Sequence, residues 1–337
     1  MSNPLAVIIS DVHYSLQTLE VADKCLRQAI EKANDLEVPL IISGDLHDTK
    51  ANMRGECIKA MLDTIDLCER KPYILVGNHD KTNEKSESHS LEFLRKVAYI
   101  VDEPSTAYNP FAAYMIPYQH DVEEMRKILA QIPDGSRLII HQGRHGALPG
   151  SYSHDKTALS EADYAPFTVI SGHYHQHQKF HNQTHDTTFT YVGNPYTLDF
   201  SEANHPAKGF LILNEDFTFE RVLTNVRKHV VIHASFAGGR IGYSAPQPII
   251  LDSDIVLLKV EGSRTQLGSI TKDAYAQAFK IPGNFRLDLI PTDSEVLTPK
   301  VSNESAETIY TGLVEETKDL SEADKEALKQ FWKDYAS

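Results

Sequence analysis

Five short stretches of this chain carry side chains able to hold cations. "DVH" supplies Asp11 and His13, "GDLHD" supplies Asp45, "GNHD" supplies Asn78 and His79, "HQG" supplies His141, and "GHYH" supplies His173 and His175. Carboxylate, amide and imidazole donors without sulfur suit Mn2+, Fe2+ or Zn2+ better than Ca2+ or Mg2+, whose sites are normally all oxygen. A carboxylate shared by two such cations holds them roughly 3.5 to 4 Å apart, the spacing that clamps a phosphoryl group. Cations so placed lower the pKa of a bound water and neutralise charge on non-bridging phosphate oxygens. One such motif is weak evidence; five in order are not.

Each motif follows an apolar run that must position it. "LAVIIS" (5–10), "VPLIIS" (38–43), "PYILV" (72–76), "RLII" (137–140) and "FTVIS" (167–171) are too short for helices and apolar throughout, as strands covered on both faces are. Between the first runs lie amphipathic stretches, with Leu19, Ala22, Leu26, Ile30 and Ala33 on one helical face and Ile58, Met61, Leu62 and Ile65 on another. Alternation of this kind predicts a layered α/β core. Ligands in open α/β sheets gather at the carboxyl ends of strands. Gly44, Gly77 and Gly172 let the backbone turn sharply where a side chain must be aimed inward.

The five motifs resemble the signature of the calcineurin-like metallophosphoesterases, D-x-H, G-D, G-N-H-D/E, H and G-H-x-H. The likeness covers about the first two hundred residues. Within that superfamily, "IPY" at Ile116 to Tyr118, "HQG" and "YVGNPYTLDFSE" look like the SbcD-type nucleases, which work with an SMC-like ATPase of SbcC type in DNA break processing. "HPAKGFLIL" and the ending "ETKDLSEADKEALKQFWKDYA" resemble the recombination endonuclease subunits of T-even phages. The resemblance implies that Asp11, His13, Asp45 and His175 bind one metal and Asp45, Asn78, His141 and His173 the second, with manganese favoured. It also implies that His79 stabilises the transition state or protonates the leaving oxygen. Asp48 is the candidate to orient His79, with Asp80 as a competing partner or a loop cap. Nuclease relatives often carry His at the position of Asp48, and His47 just before it is kept as a substrate-side candidate.

Monoester phosphatases of the superfamily place arginines after these motifs to grip a dianionic phosphate. Here Thr49, Asp80, Lys81 and Thr82 stand there instead, which leans to a phosphodiester. Joined to that lean, the SbcD-type resemblance implies a two-metal, manganese-dependent DNA phosphodiesterase, the exonuclease and endonuclease subunit of a nuclease and ATPase assembly in recombination and repair. A phosphodiesterase acting on small, cyclic-nucleotide-type molecules is the alternative. Arg144 and His145, in "HQGRHGALPG", lie in a loop beyond a ligand, where they meet a phosphate or serve the loop alone. His177, His181 and His185 are assigned to a solvent-facing hairpin before "DTTFTYV", with contact to substrate as the alternative.

The fold class expected is α/β: a layered β-sandwich core flanked by helices (1–225), a small α+β capping domain (226–291), an acidic linker (292–304) and C-terminal helices (305–337). In the last segment Leu328, Phe331, Trp332 and Tyr335 give one helix a pronounced apolar side behind a capping box at Ser321 and Asp324, which reads as a docking element for a partner. Packing back on its own domain is the other reading. The resemblance implies docking onto the ATPase, and relatives tend to form homodimers.

Of 337 residues, 41% are hydrophobic and 24% charged, enough for a sizeable core. No run approaches the roughly 18 apolar residues of a membrane span, and the N-terminus lacks the features of a signal peptide, so no membrane partner and a cytoplasmic location are expected, in a host cell if phage-encoded. Cys25, Cys57 and Cys68 are an odd number in helical patterns, which fits a reducing compartment. Formal net charge is −14, with 11 acids and 5 bases from Thr292 to Ser337. This charge argues against a broad basic face for DNA, and two cations at the site and a basic ATPase partner are expected to supply the attraction.

Overall fold

A computed structural model of the chain describes residues 2–48, 53–83, 88–105, 110–148, 155–205, 207–237, 240–246, 248–281, 283, 285–293, 325, 326 and 328–330. The elements begin with β1 (Pro4–Ile9), α1 (Leu19–Asp35), β2 (Leu40–Ile42), α2 (Gly55–Ile65), β3 (Tyr73–Leu75), β4 (Tyr99–Val101), β5 (Tyr114–Ile116) and α3 (Val122–Leu129). They continue with β6 (Arg137–His141), α4 (Glu161–Tyr164), β7 (Thr168–Gly172), β8 (Gln178–Asn182), β9 (Thr187–Tyr191), β10 (Gly209–Asn214) and β11 (Phe219–Leu223). A last group comprises β12 (His229–Ala237), β13 (Arg240–Tyr243), β14 (Ile255–Gly262), α5 (Arg264–Gly268), α6 (Lys272–Phe279) and β15 (Phe285–Pro291).

Two sheets face each other. One has six strands in the order β11-β10-β1-β2-β3-β4, the other five in the order β5-β6-β7-β9-β8. Side chains alternate along each strand, and this decides which layer they enter. In β1, Ala6 and Ile8 meet Ile139 of β6 and Ile170 of β7 between the sheets, whereas Val7 and Ile9 pack outward on Ala22, Leu26 and Met61 of α1 and α2. In β6, Leu138 and Ile140 point the other way, onto Met125 and Leu129 of α3. Both faces of each sheet are covered, which is why these strands are apolar throughout rather than alternating. The outcome is a β-sandwich flanked by helices.

Parallel pairing sets where the strand ends go. β1, β2 and β3 pair in parallel, so the residues that follow each of them emerge on one edge of the first sheet. β6 and β7 also pair in parallel, and they deliver His141 and Gly172 to the matching edge of the second. Asp11 N–H donates to the Gly44 carbonyl (3.1 Å) and His13 N–H to the Asp45 carbonyl (3.0 Å), which ties the first two loops together.

A four-stranded sheet in the order β13-β12-β14-β15 carries α5 and α6 and has its own apolar cluster, including Ile232, Leu258, Tyr275 and Phe279. It meets the sandwich through His229, whose N–H donates to Thr197 Oγ1 (2.8 Å) and whose ring stands edge-on to Phe200. Thr292 and Asp293, at the start of the expected linker, are bonded to this unit: Thr292 N–H to the Gly262 carbonyl and the Asp293 carboxylate to the N–H of Arg264. Leu328 is half-buried. Phe331, Trp332, Tyr335, Ser321 and Asp324 lie outside the described residues, as does the chain from 294 to 324. Among the described residues no helix is long and apolar enough to cross a membrane.

Candidate metal centre

Asp11, His13, Asp45, Asn78, His141, His173 and His175 converge where the two sheets present their strand ends. His13 and His175 bring their Nε2 atoms within 3.1 Å of each other. Asn78 Oδ1 lies 3.0 Å from His141 Nε2 and 2.8 Å from His173 Nδ1. Asp45 Oδ2 sits between these two halves, 3.3 Å from His141 Nε2 and 3.9 Å from His13 Nε2. Asp11, His13, Asp45 and His141 are buried.

Reaching this geometry takes unusual backbone. Asp11, His13, Asp45 and His173 adopt φ of 54°, 51°, 52° and 88°, a region that costs a non-glycine residue of order 1–3 kcal/mol and that concentrates at functional sites. Of the three glycines expected to make sharp turns, Gly44 does so, with φ of 98°. Gly77 and Gly172 have a different role: a Cβ there would run into Asp45 and into Ser10 and the Ser43 carbonyl, so they are glycine for want of space.

The outward nitrogen of every imidazole in the cluster is already committed. His13 Nδ1 faces Asp48 Oδ1 (3.1 Å), His141 Nδ1 the Ser43 carbonyl (2.7 Å), His173 Nε2 Asp155 Oδ2 (2.9 Å) and His175 Nδ1 Glu202 Oε1 (2.8 Å). Each partner is an acceptor, which assigns the proton to the outward nitrogen and leaves a lone pair pointing inward. The inward set is then four imidazole lone pairs, two buried carboxylates and an amide oxygen. Acceptors aimed at one another in a buried space repel unless something positive lies among them, and divalent cations meet that demand with this donor chemistry. Without a cation, protons answer the same demand for positive charge. Burial opposes a charge on His141, yet Asp45 and Asp11 outweigh it and push the imidazole up to about 9. Burial likewise favours neutral Asp45, but His141, His79 and His13 hold it well below the usual carboxylate range.

His79 stands beside the cluster, its ring edge-on to His13 at 4.8 Å. Its orienting group differs from the expected one. His79 Nδ1 donates to the main-chain carbonyl of Asp48 (2.7 Å), while the Asp48 carboxylate is 4.0 Å away and is spent on His13. Asp80 proves to be the loop cap: its carboxylate accepts the N–H groups of Asp45, His47 and Gly77, each at 2.9 Å. Burial first, and Asp45 second, push Asp80 up to about 7.

Three substrate-side candidates fare differently. His47 is 1% exposed beneath the loop and cannot touch a substrate in this conformation. Arg144 is buried and turned aside, with its guanidinium on Glu161 (3.1 Å), on the His145 carbonyl (3.0 Å) and over the Phe180 ring (4.3 Å). His145 is exposed in the loop beyond His141. His181 and His185 are solvent-facing on the β8–β9 hairpin as expected. His177 is not; the hairpin begins one residue later, and His177 is half-buried with its ring edge-on to Phe219.

Asp155 and Glu202 were missed from the sequence. Each holds a cluster histidine, and Glu202 is itself held by Lys208 Nζ at 2.8 Å. The available signal for Glu202 was the acid closing "YVGNPYTLDFSE"; Asp155 offered none. Outer partners of metal-binding imidazoles typically matter about 10–100-fold in affinity or activity. Asp155→Asn is therefore expected to weaken Mn2+ binding by about that factor in a calorimetric titration. An unchanged affinity would remove Asp155 from the centre.

The calcineurin-like phosphoesterase family matches residues 5–177, which include all five strand-end motifs. A protein of Invertebrate iridescent virus 6 named as a phosphoesterase is 27% identical over 192 residues, 53% of this chain and 67% of that one. Exonuclease subunit 1 of Enterobacteria phage T4 is 24% identical over 319 residues, 91% of this chain and 89% of its own length. The family works with two metal ions, and the acceptor cluster here fits them. With the match spanning more than half of the sequence and every strand end that builds the cluster, the chain belongs to the calcineurin-like phosphoesterases.

Proposed function

We propose that this protein is a metal-dependent DNA phosphodiesterase, the nuclease subunit of a nuclease and ATPase assembly that processes DNA in recombination and repair. The observation that carries the reading is the likeness to Exonuclease subunit 1, which runs along 91% of the chain and so extends well past the phosphoesterase region. Asp11, His13, Asp45 and His175 would hold one ion and Asp45, Asn78, His141 and His173 the other; mixed N/O ligation suits Mn2+, Fe2+ or Zn2+, and the family resemblance favours Mn2+. Bound there, the ions supply an activated water and charge neutralisation on the phosphate. His79, partly exposed at the rim and fixed by the Asp48 carbonyl, would protonate the leaving oxygen.

The surroundings favour a diester over a monoester. Arg144, the arginine nearest a ligand in sequence, spends its guanidinium elsewhere, so no fork of the kind that grips a dianion comes from that loop. A chain of net charge −14 attracts DNA weakly by itself. A basic ATPase partner, docked through the segment with Leu328, Phe331, Trp332 and Tyr335, would supply the attraction, and residues 226–291 would cap the DNA path of the 1–225 core in a homodimer in the cytoplasm.

The test is digestion of end-labelled duplex and single-stranded DNA by the purified chain with Mn2+, beside a chelated arm, an Asp45→Ala control and a bis-p-nitrophenyl phosphate assay. Shortening of DNA that vanishes on chelation and returns with Mn2+ is expected. Turnover of the small diester without any DNA cleavage, even with the ATPase partner supplied, would replace the nuclease with a small-molecule phosphodiesterase.

A further inference from the structure

A second cavity opens beside the centre. It has a volume of about 240 Å³ and is bordered by His175, Gln176, His177, His205, Lys208 and Arg221. Lys208 is not its free charge, because Nζ is taken by Glu202 (2.8 Å), Asn194 Oδ1 (2.6 Å) and the His175 carbonyl (3.1 Å). Arg221 is. It projects from edge strand β11, donates Nη2 to the Ala207 carbonyl, and keeps Nε buried without a hydrogen-bond partner among the described residues. No carboxylate among the described residues forms an ion pair with it.

A half-buried guanidinium is costly to leave unpaired, and with no carboxylate among the described residues paired to it an anion from outside would meet that cost. Burial alone pulls the Arg221 pKa down, with no acid to offset it. The neighbours extend the same field. Lys179 is exposed with Nζ over the Phe219 ring at 5.2 Å, the ring that His177 also meets at 5.9 Å, and His205 is exposed at the mouth. Because His175 forms both a wall of this cavity and part of the metal centre, the cavity adjoins the centre, and an anion held here would neighbour a phosphate bound at the metals. A nucleic-acid strand presents phosphates in regular succession and so supplies that anion with no extra molecule.

We propose that the cavity beside His175, with Arg221 in its wall and His205 at its mouth, binds a phosphate of the nucleic-acid strand adjacent to the scissile one. The proposal rests on the nuclease reading and adds the residues that would seat the strand. It accounts for DNA engagement by a chain without a broad basic face.

The test uses the full Mn2+-loaded chain, a short end-labelled single-stranded oligonucleotide and bis-p-nitrophenyl phosphate, with KM followed across a salt series. In Arg221→Gln, KM for DNA is expected to rise about tenfold, the value of one charged hydrogen bond. The salt slope should fall by about one phosphate contact. Arg221→Lys should recover most of the slope. DNA turnover should fall more than small-diester turnover, since the small diester does not reach the cavity. His205→Glu, at an exposed position, should weaken DNA in the same sense, and it decides the matter if Arg221→Gln melts below wild type. Arg221→Gln and His205→Glu with the wild-type KM and slope, or with both substrates falling together, would overturn the phosphate site while leaving the nuclease intact. Wild-type protein that hydrolyses the small diester and never cuts DNA would overturn both.

Discussion

Replacing Asp45 with alanine should lower hydrolysis of DNA and of bis-p-nitrophenyl phosphate together by more than about 100-fold, the upper end of what a mere outer partner costs. Elemental analysis of the variant should also show less bound Mn2+ per chain. The reason is position. Asp45 Oδ2 lies between His141 and His13, at 3.3 and 3.9 Å from their Nε2 atoms, so one carboxylate serves both halves of the cluster. Its other oxygen accepts the His79 N–H at 2.8 Å and so sets the loop that carries the candidate acid. Loss of the side chain therefore removes a donor from each half and loosens His79 at the same time. Asp45→Asn separates these contributions, since it keeps the shape and the His79 contact but not the charge. A variant that binds as much Mn2+ as wild type would show that the carboxylate is not shared, and the two-centre arrangement would have to be redrawn.

The centre was legible in the sequence because its ligands sit directly behind strands, and strands covered on both faces announce themselves as short apolar runs. The same holds for the sandwich: Ala6 and Ile8 facing one way and Val7 and Ile9 the other require a layer on each side. Contacts between distant loops left no such mark. Asp155 and Glu202 stand 18 and 27 residues from the histidines they hold, and no spacing rule links them. Main-chain acceptors are invisible in a list of side chains, which is why the Asp48 carboxylate was expected on His79 when the Asp48 carbonyl does that work and the carboxylate turns to His13. Arg144 left two readings open, a phosphate or the loop alone, and spacing could not choose between them: a planar cation beside Phe180 and Glu161 has its use within the fold.

Gly44→Ala is expected to cost about 2 to 5 kcal/mol, combining the left-handed backbone penalty with overpacking. At about 2 to 4 °C of Tm per kcal/mol for a domain of this class, the loss is easily seen in a melting curve. Gly44 has φ of 98°, and a Cβ there would overlap the His141 ring, whose Nδ1 is already pinned to the Ser43 carbonyl at 2.7 Å. Neither side can yield cheaply: the Gly44 carbonyl also receives the Asp11 N–H at 3.1 Å, so a shift of this turn moves Asp11, Asp45 and His141 together. Activity should accordingly fall even at temperatures where the variant stays folded. Gly135→Ala isolates the backbone part, because Gly135 has φ of 81° and open space where its Cβ would stand. That variant should lose only about 1 to 2 kcal/mol and keep its Mn2+ affinity. Equal losses in the two variants would mean that the His141 ring moves aside freely, and the centre would then be softer than its buried, strained backbone implies.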